Sequence, residues 1–510
     1  VESLTPKQSL WNYLVLLAFA ILSVVGSLHH EMWLDEVNCW LTAKESHSIS
    51  ALFANCHNSG HPFLWNILLY VITRFTDNLF SMQVLHALIS ITAAYIFIIY
   101  SPFSLLQKVL IVFGYYFLFE YNLISRDYSL SWLLLALFCM LFNKNQKNYV
   151  LLSLILALLV NTHLFSLLLS IPLFLILMLN YAKQKGLKRQ TGLLCLAIFL
   201  TGAFLGVISI IPTQRTYILE YATLDFFSHI RLTKTFSFFP IGFFPLLTFS
   251  QFDFWNSNYF TENSNLVANV LPWICFVAPL LFLYPNKRWL LFFYVSTLSI
   301  MAAVYYLNLH YGTRYKGFCF LIFLSALWLS KTEKTRNNSA PLFITILTNA
   351  FLYSVLIFQF IGGIYAYSMD LRFPFSEGKE TADYIKSQLP ENSPVFVIPM
   401  QVGPSISAYL GRKVFYPDRD TYGSSMEWTL YKEISCKDAF DNIVKIIDSL
   451  KSNTFALVLP TFDNNLVQYQ ALANKYFNST RYHFNSPKTF NHGLVNGENY
   501  FVYIVQRNNR

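Results

Sequence analysis

Long apolar runs separated by short polar breaks fill the first two thirds of the chain. Runs near the length that crosses a bilayer lie at 11–28, 83–101, 108–123, 128–142, 149–163, 164–181, 191–212, 267–285, 289–307, 316–330 and 341–362, which predicts about eleven membrane-spanning helices. The first is read as a retained helix, because its flank Ser27-Leu28-His29-His30 lacks a small-x-small cleavage site. From Ser376 onward the pattern changes. Helix-like stretches near 376–389, 404–411, 436–451 and 464–477 alternate with strand-like runs at Val395–Met400, Val414–Tyr416, Phe455–Leu459 and Tyr500–Ile504. That alternation predicts a small α/β domain.

Charge sets the orientation. Lys144 and Lys147, then Lys183, Lys185, Lys188 and Arg189, then Lys287 and Arg288, then Lys331, Lys334 and Arg336 fall on one side when the helices are threaded in order. The positive-inside rule makes that side cytoplasmic. The predicted fold is therefore an α-helical polytopic membrane module over 1–365, with outer loops at 29–82 and 213–266, followed by an extracytoplasmic α/β domain over 366–510. Composition agrees: 55% hydrophobic, 18% aromatic and 12% charged residues fit no set of soluble domains. The +9 net charge sits in short clusters between apolar runs, so it points to topology and not to a nucleic-acid partner. Seven scattered cysteines without C-x-x-C spacing say nothing about redox compartment.

The candidate chemistry lies on the outer side. Asp35 and Glu36 follow the first helix by a few residues. A carboxylate at the mouth of a lipid-lined cavity can take a proton from an incoming hydroxyl. The same two acids also suit the N-terminus of the next helix. His57 and His61, spaced i, i+4, offer metal ligands with Asp35, but Gly60 and Pro62 break a continuous helix there, and a metal is not favoured. The amphipathic stretch through Tyr70 and Arg74 fits a helix lying in the membrane interface. Arg126, in Glu120-Tyr-Asn-Leu-Ile-Ser-Arg-Asp-Tyr-Ser129, is either paired with Glu120 or Asp127 or faces an anionic ligand. His163 sits at an outer turn, where a satisfied turn histidine is the plain alternative to a cavity role. Arg314 and Lys316, in His310-Tyr-Gly-Thr-Arg-Tyr-Lys-Gly317, suit a phosphate at the membrane surface, and ordinary headgroup contact accounts for them equally. Asp418-Arg419-Asp420 has the form of a nucleotide-sugar motif, but a lone triplet in a turn-rich segment carries little weight.

Taken in order, these motifs resemble the GT-C superfamily, specifically the broad family of dolichyl-phosphate-mannose protein mannosyltransferases and bacterial aminoarabinose transferases. The matching residues are Trp33-Leu-Asp-Glu36, His61-Pro-Phe-Leu-Trp65, Ser125-Arg-Asp-Tyr-Ser-Leu130, Thr162-His163 and Gly312-Thr-Arg-Tyr315, spread over residues 1–330. The resemblance implies an inverting transfer of sugar from a polyprenyl-phosphate donor to an acceptor hydroxyl. Asp35 would be the general base and Glu36 would orient it. Arg126, Arg314, Tyr315 and Lys316 would meet the lipid phosphate, while His61, Tyr128 and His163 would line the cavity. His-Pro-Phe replaces the commoner His-Pro-Pro, and the helix after Arg314 lacks the usual prolines, which leaves the donor sugar open.

The expected partners are the lipid-linked donor, membrane lipid and an acceptor glycan, lipid or protein. No cofactor is called for, and a divalent metal is the less favoured option. The expected place is a bacterial inner membrane, with the active site and C-terminal domain facing the periplasm or exterior. The alternative is a transporter or flippase of a lipid-linked substrate, which would favour inverted repeats and broken helices with polar residues at the midplane. A noncatalytic scaffold would leave Asp35, Glu36 and the outer cations unexplained. The aromatic-rich segment 236–260 is a candidate interfacial lid.

Overall fold

The computed structural model describes residues 6–144, 147–184, 188–213, 229–249, 254–307, 312–333, 341–426, 434–450 and 452–508. Residues 214–228 and 250–253 of the second outer loop, with part of the candidate lid, lie outside the described residues, as do Lys185, His310, Tyr311, Lys334 and Arg336. The chain divides into two compact units. Val1–Leu28, Phe53–Leu68 and Met82–Ser368 form a helical unit, while His29–Leu52, Leu69–Ser81 and Met369–Arg510 form the other. Residues 29–82 contribute to both.

In chain order the helices are α1 (Pro6–His29), α2 (Leu34–Glu45), α3 (Ile49–Cys56), α4 (Leu64–Ile72), α5 (Phe80–Tyr100), α6 (Leu105–Val112), α7 (Tyr128–Phe142), α8 (Tyr149–Val160), α9 (Leu164–Lys183) and α10 (Arg189–Ile210). Then come α11 (His229–Phe236), α12 (Phe238–Phe243), α13 (Tyr259–Asn263), α14 (Asn265–Leu283), α15 (Lys287–Tyr306), α16 (Thr313–Thr332) and α17 (Leu342–Asp370). Seven described helices, α1, α5, α9, α10, α14, α15 and α17, are long and apolar enough to cross a membrane. The shorter apolar helices α7 and α8 accompany them, and α16 is buried along most of its length. Large apolar side chains such as Leu175 and Leu179 on α9 and Leu193, Leu200 and Phe204 on α10 stand exposed. An apolar surface of that extent is the mark of a lipid-facing helix.

The run 108–123, expected as one span, is not one helix. α6 stops at Val112, and Tyr115–Glu120 wind as a π-helix whose side chains are all buried. A segment buried on every side carries no amphipathic stripe, so the break leaves no trace in the hydrophobic pattern. Short π segments recur at functional sites, and this one sits beside the residues described below.

The second unit holds α18 (Gly378–Gln388), α19 (Gly403–Leu410), α20 (Cys436–Leu450) and α21 (Leu466–Phe477), with strands β1 (Val395–Val397), β2 (Val414–Tyr416), β3 (Thr421–Gly423), β4 (Thr454–Pro460), β5 (Tyr482–Phe484), β6 (Lys488–Phe490) and β7 (Tyr500–Arg507). The sheet order is β3-β2-β1-β4-β7-β5, with β6 also on β7. β1 runs parallel to β2 and to β4, with Phe396 opposite Phe415 and Leu457, and β7 closes antiparallel on β4. Successive strand residues point to opposite faces. Val395 and Val397 therefore pack with Ile385 of α18 and Ile406 of α19, while Phe396 and Ile398 pack with Phe440 of α20 and Phe477 of α21. Both faces are apolar, which is why the central strands read as continuous hydrophobic runs. Leu34 of α2 packs on the α18–α19 side, so the first turn of α2 is part of this fold.

Candidate functional site

The helical unit brings together His61, Arg126, Tyr128, His163, Arg314 and Tyr315. Gly60 takes a left-handed φ of 74°, which ends the α3 turn and separates His57 from His61. The His61-Pro62-Phe63 loop is tied to the α8–α9 turn by Leu64 N–H donating to Asn161 O at 3.2 Å. His163, in that turn, caps α9: its Nδ1 accepts from Phe165 N–H at 3.1 Å. Arg126 is buried in the turn before α7. Its Nη2 donates to His61 Nε2 at 3.3 Å, and its Nε lies 3.8 Å from Asp127 Oδ1. The rings of His163 and Tyr315 approach to 5.4 Å, and those of Tyr128 and His163 to 5.5 Å.

Arg314 stands in the first turn of α16. Thr313 N–H donates to Asn256 Oδ1 at 2.9 Å, and a Cβ at position 312 would overlap that same oxygen, so a larger residue there would displace the Asn256 side chain. The Arg314 guanidinium carbon sits 5.1 Å from the ring centres of both Trp255 and Tyr315. Such stacking holds the planar group by cation–π attraction. Glu120 supports the arrangement: it accepts from Trp255 Nε1 at 2.9 Å and Tyr115 OH at 2.7 Å, and it attracts Arg314 electrostatically. Glu120 therefore serves Arg314, not Arg126 as one sequence option had it. Tyr121 OH donates to Arg314 O at 2.8 Å, which secures the helix start from the π-helix side.

Lys316 does not join this group. Its ammonium lies 6.0 Å from the Phe238 ring. Residues two apart on a helix do not share a face, so Arg314 and Lys316 diverge.

The histidines have fixed roles. A guanidinium can only donate, so His61 Nε2 accepts and the proton sits on Nδ1. A backbone N–H can only donate, so His163 Nδ1 accepts and its proton sits on Nε2. Burial, then Arg126, His163 and Arg314, holds His61 well below its usual value, which keeps it neutral. His61, Asp127 and His163 place one ligand-type atom each within 4.8 Å of one another. A metal would need a lone pair on each ring, yet both accepting nitrogens are already used. The His61 Nδ1–H faces Asp127 Oδ2 at 4.0 Å, and the His163 Nε2–H beside two guanidiniums is what suits an anion's oxygens. The positive end of α16 adds to the same preference.

Asp35 and Glu36 belong to the α/β unit, in the first turn of α2. Asp35 is half-buried. Glu36 is fully buried: its Oε2 accepts from Trp33 N–H at 3.1 Å and from His30 Nε2 at 3.0 Å. The other His30 nitrogen lies 3.0 Å from Asp370 Oδ1 at the end of α17. Burial alone would lower the His30 value, but Asp370 and then Glu36 raise it well above 6.5, so an imidazolium sits between two carboxylates. Glu498 accepts from Leu34 N–H at 2.6 Å. Burial pushes its carboxyl up to about 7 against the pull of its donors, and Asp35 adds to the rise.

His30, Asp370, Glu498, Trp255 and Asp127 were not singled out from the sequence as site residues. Trp255 lies within the aromatic-rich segment, and Asp127 was considered only as a partner of Arg126. Asp370 ends α17, beyond the apolar run 341–362. Glu498 carries no local signal.

No protein-family profile and no curated protein sequence matches the chain. Solved structures do. The apo crystal structure of ArnT from Cupriavidus metallidurans aligns over 96% of this chain and 97% of that one, at 12% identity and a TM-score of 0.50. The chain has a GT-C fold. ArnT bound to undecaprenyl phosphate aligns over the same shares at 13% identity with a TM-score of 0.47. The arabinofuranosyltransferase AftD from Mycobacteria covers 97% of this chain and 41% of its own, at 12% identity and a TM-score of 0.37. The 0.50 alignment carries the likeness in fold, and the seven long apolar helices among the described residues make the chain an integral membrane protein.

Proposed function

We propose that this GT-C protein is a membrane glycosyltransferase that takes a sugar from a polyprenyl-phosphate donor and transfers it, with inversion, to an acceptor hydroxyl on the extracytoplasmic side. One observation carries the reading. His61 and His163 have both been turned into N–H donors beside Arg126 and Arg314, in an aromatic setting at the start of the buried helix α16. A sugar phosphate leaving group develops negative charge as the glycosidic C–O bond breaks, and preorganised donors aimed at that charge lower the barrier.

In this reading Asp35 removes the acceptor proton as the hydroxyl oxygen attacks the anomeric carbon, and polyprenyl phosphate departs with the electron pair. Glu36, held by His30 and the Trp33 amide, keeps the first turn of α2 in place. The host is a bacterial inner membrane with chemistry on the periplasmic side, and the acceptor is a glycan, lipid or protein. Residues 1–365 make the membrane catalytic module and 366–510 the outer domain.

The test is transfer of radiolabelled sugar from a panel of polyprenyl-phosphate sugars into extracted membranes, with wild type and Asp35→Asn side by side. Incorporation by wild type alone is the expected result. Normal incorporation by Asp35→Asn removes Asp35 as base, and no incorporation from any donor with folded wild type returns weight to the transporter reading.

A further inference from the structure

Trp33, the residue before α2, carries no side-chain acceptor with which to cap the first turn. A serine or asparagine there would serve the second or third amide of the helix, not that of Leu34, its first residue. The chain instead brings a buried acid from 464 positions away, and Glu498 Oε1 takes the Leu34 N–H at 2.6 Å. Burying a carboxylate carries a desolvation cost, so helix stability alone does not call for it. Glu498 is 3% exposed and is fixed from several directions. Its Oε2 accepts from Ser405 Oγ at 2.8 Å, in α19, and from Ser376 Oγ, just before α18. Its carbonyl accepts from Glu377 N–H at 3.0 Å. Two residues later β7 begins, paired with β4 from Thr454 to Pro460. The carboxylate is thus an extension of the sheet, and the amide it grips precedes Asp35 by one residue.

We infer that Glu498 is a positioning residue for Asp35, and that the α/β domain fixes the first turn of α2 through the Leu34 amide. The inference rests on the reading of Asp35 as the base. Glu498→Ala removes the carboxylate, so the Leu34 amide and both serine hydroxyls lose their acceptor together. Ser405→Ala removes one of the groups that hold Glu498 and is the milder variant.

The experiment uses the full chain in detergent and reads two quantities: hydrogen exchange over residues 33–37, and kcat and KM for the lipid donor. In Glu498→Ala, exchange over 33–37 rises while the β4–β7 strands keep wild-type protection. The kcat falls by about 10- to 100-fold with KM for the donor unchanged, the scale expected of a small misplacement of a reacting group. Ser405→Ala gives the same pattern more weakly. Wild-type exchange over 33–37 in both variants overturns the inference, whether or not any sugar is transferred. Equal losses in kcat and donor affinity, with exchange raised throughout the sheet, reduce Glu498 to a structural residue and overturn it as well. Raised exchange in a chain whose wild type transfers no sugar refutes the role of Asp35, and the inference with it.

Discussion

In the α/β unit the groups that matter are carboxylates held by hydrogen-bond donors: Glu36 by His30 and the Trp33 amide, Glu498 by Leu34, Ser376 and Ser405. In the helical unit they are guanidiniums held on aromatic faces, with Arg314 over Trp255 and Tyr315 and Arg126 donating to His61. The contrast follows from what each charge needs. A carboxylate is an acceptor only and is fixed by N–H and O–H groups, which helix starts and serines supply. A guanidinium is a flat, weakly hydrated donor that a ring can support while its edge stays available. Fixing the acids this way suits a proton acceptor whose geometry must not drift. A guanidinium stacked on rings, as Arg314 is, suits charge-assisted hydrogen bonds to an incoming phosphate.

The largest effect that can break this division is at Asp35. Asp35→Asn is expected to lower kcat by about 10³-fold or more, within the usual range for a general base, while size-exclusion behaviour and melting stay as in wild type. Arg314→Ala is expected to cost about 10²- to 10³-fold in kcat/KM, as for loss of a charge-stabilising donor. Arg314→Lys should recover little of this in the same transfer assay, because an ammonium cannot lie flat between Trp255 and Tyr315.

His30→Ala tests how firmly the acids are held. It leaves Glu36 and Asp370 buried without their shared cation, and breaking a buried pair from one side costs about 3–5 kcal/mol; thermal melting of the purified chain reads this. The pH dependence has a definite sign. Because the folded value of His30 is raised, its stabilisation is complete below the ordinary histidine value of 6.5 and is lost as pH climbs through the raised value. Melting temperature should therefore decline on the alkaline side in wild type, and the His30→Ala curve should be flatter.

The smallest expected effect lies at the histidines. His61→Asn and His163→Asn should each raise KM for the lipid donor by about tenfold, the loss of one hydrogen bond to a charged group. Chelators should leave turnover unchanged, since both rings present protons, not lone pairs, to the site. A chelator-sensitive rate restored by one divalent ion would reverse that assignment.

Much of this architecture was legible in the chain. Alternation of Val395 and Val397 with Phe396 and Ile398 gives a strand apolar on both faces, and α18 to α21 fall close to the amphipathic stretches read from spacing. The motifs carrying His61, Arg126, Tyr128, His163, Arg314 and Tyr315, read separately along the chain, come together in the helical unit. What stayed hidden has a common cause. The π-helix at Tyr115–Glu120 is buried on all sides and leaves no period to read. His30 meets Asp370 across 340 positions, and Leu34 meets Glu498 across 464. Pairings that distant are set by tertiary folding and carry no local signal. Lys316 went the other way: adjacency suggested partnership with Arg314, and helix geometry separates them.

The division of labour between the two regions is tested most directly by equilibrium binding of sugar-free polyprenyl phosphate to the purified full-length protein. Wild type, Asp35→Asn and Arg314→Ala are compared in the same detergent and salt. The account predicts that Asp35→Asn binds as wild type does and that Arg314→Ala binds at least about tenfold more weakly, the value of a hydrogen-bonded charge. Wild-type affinity in Arg314→Ala, or a matching loss in Asp35→Asn, would contradict it.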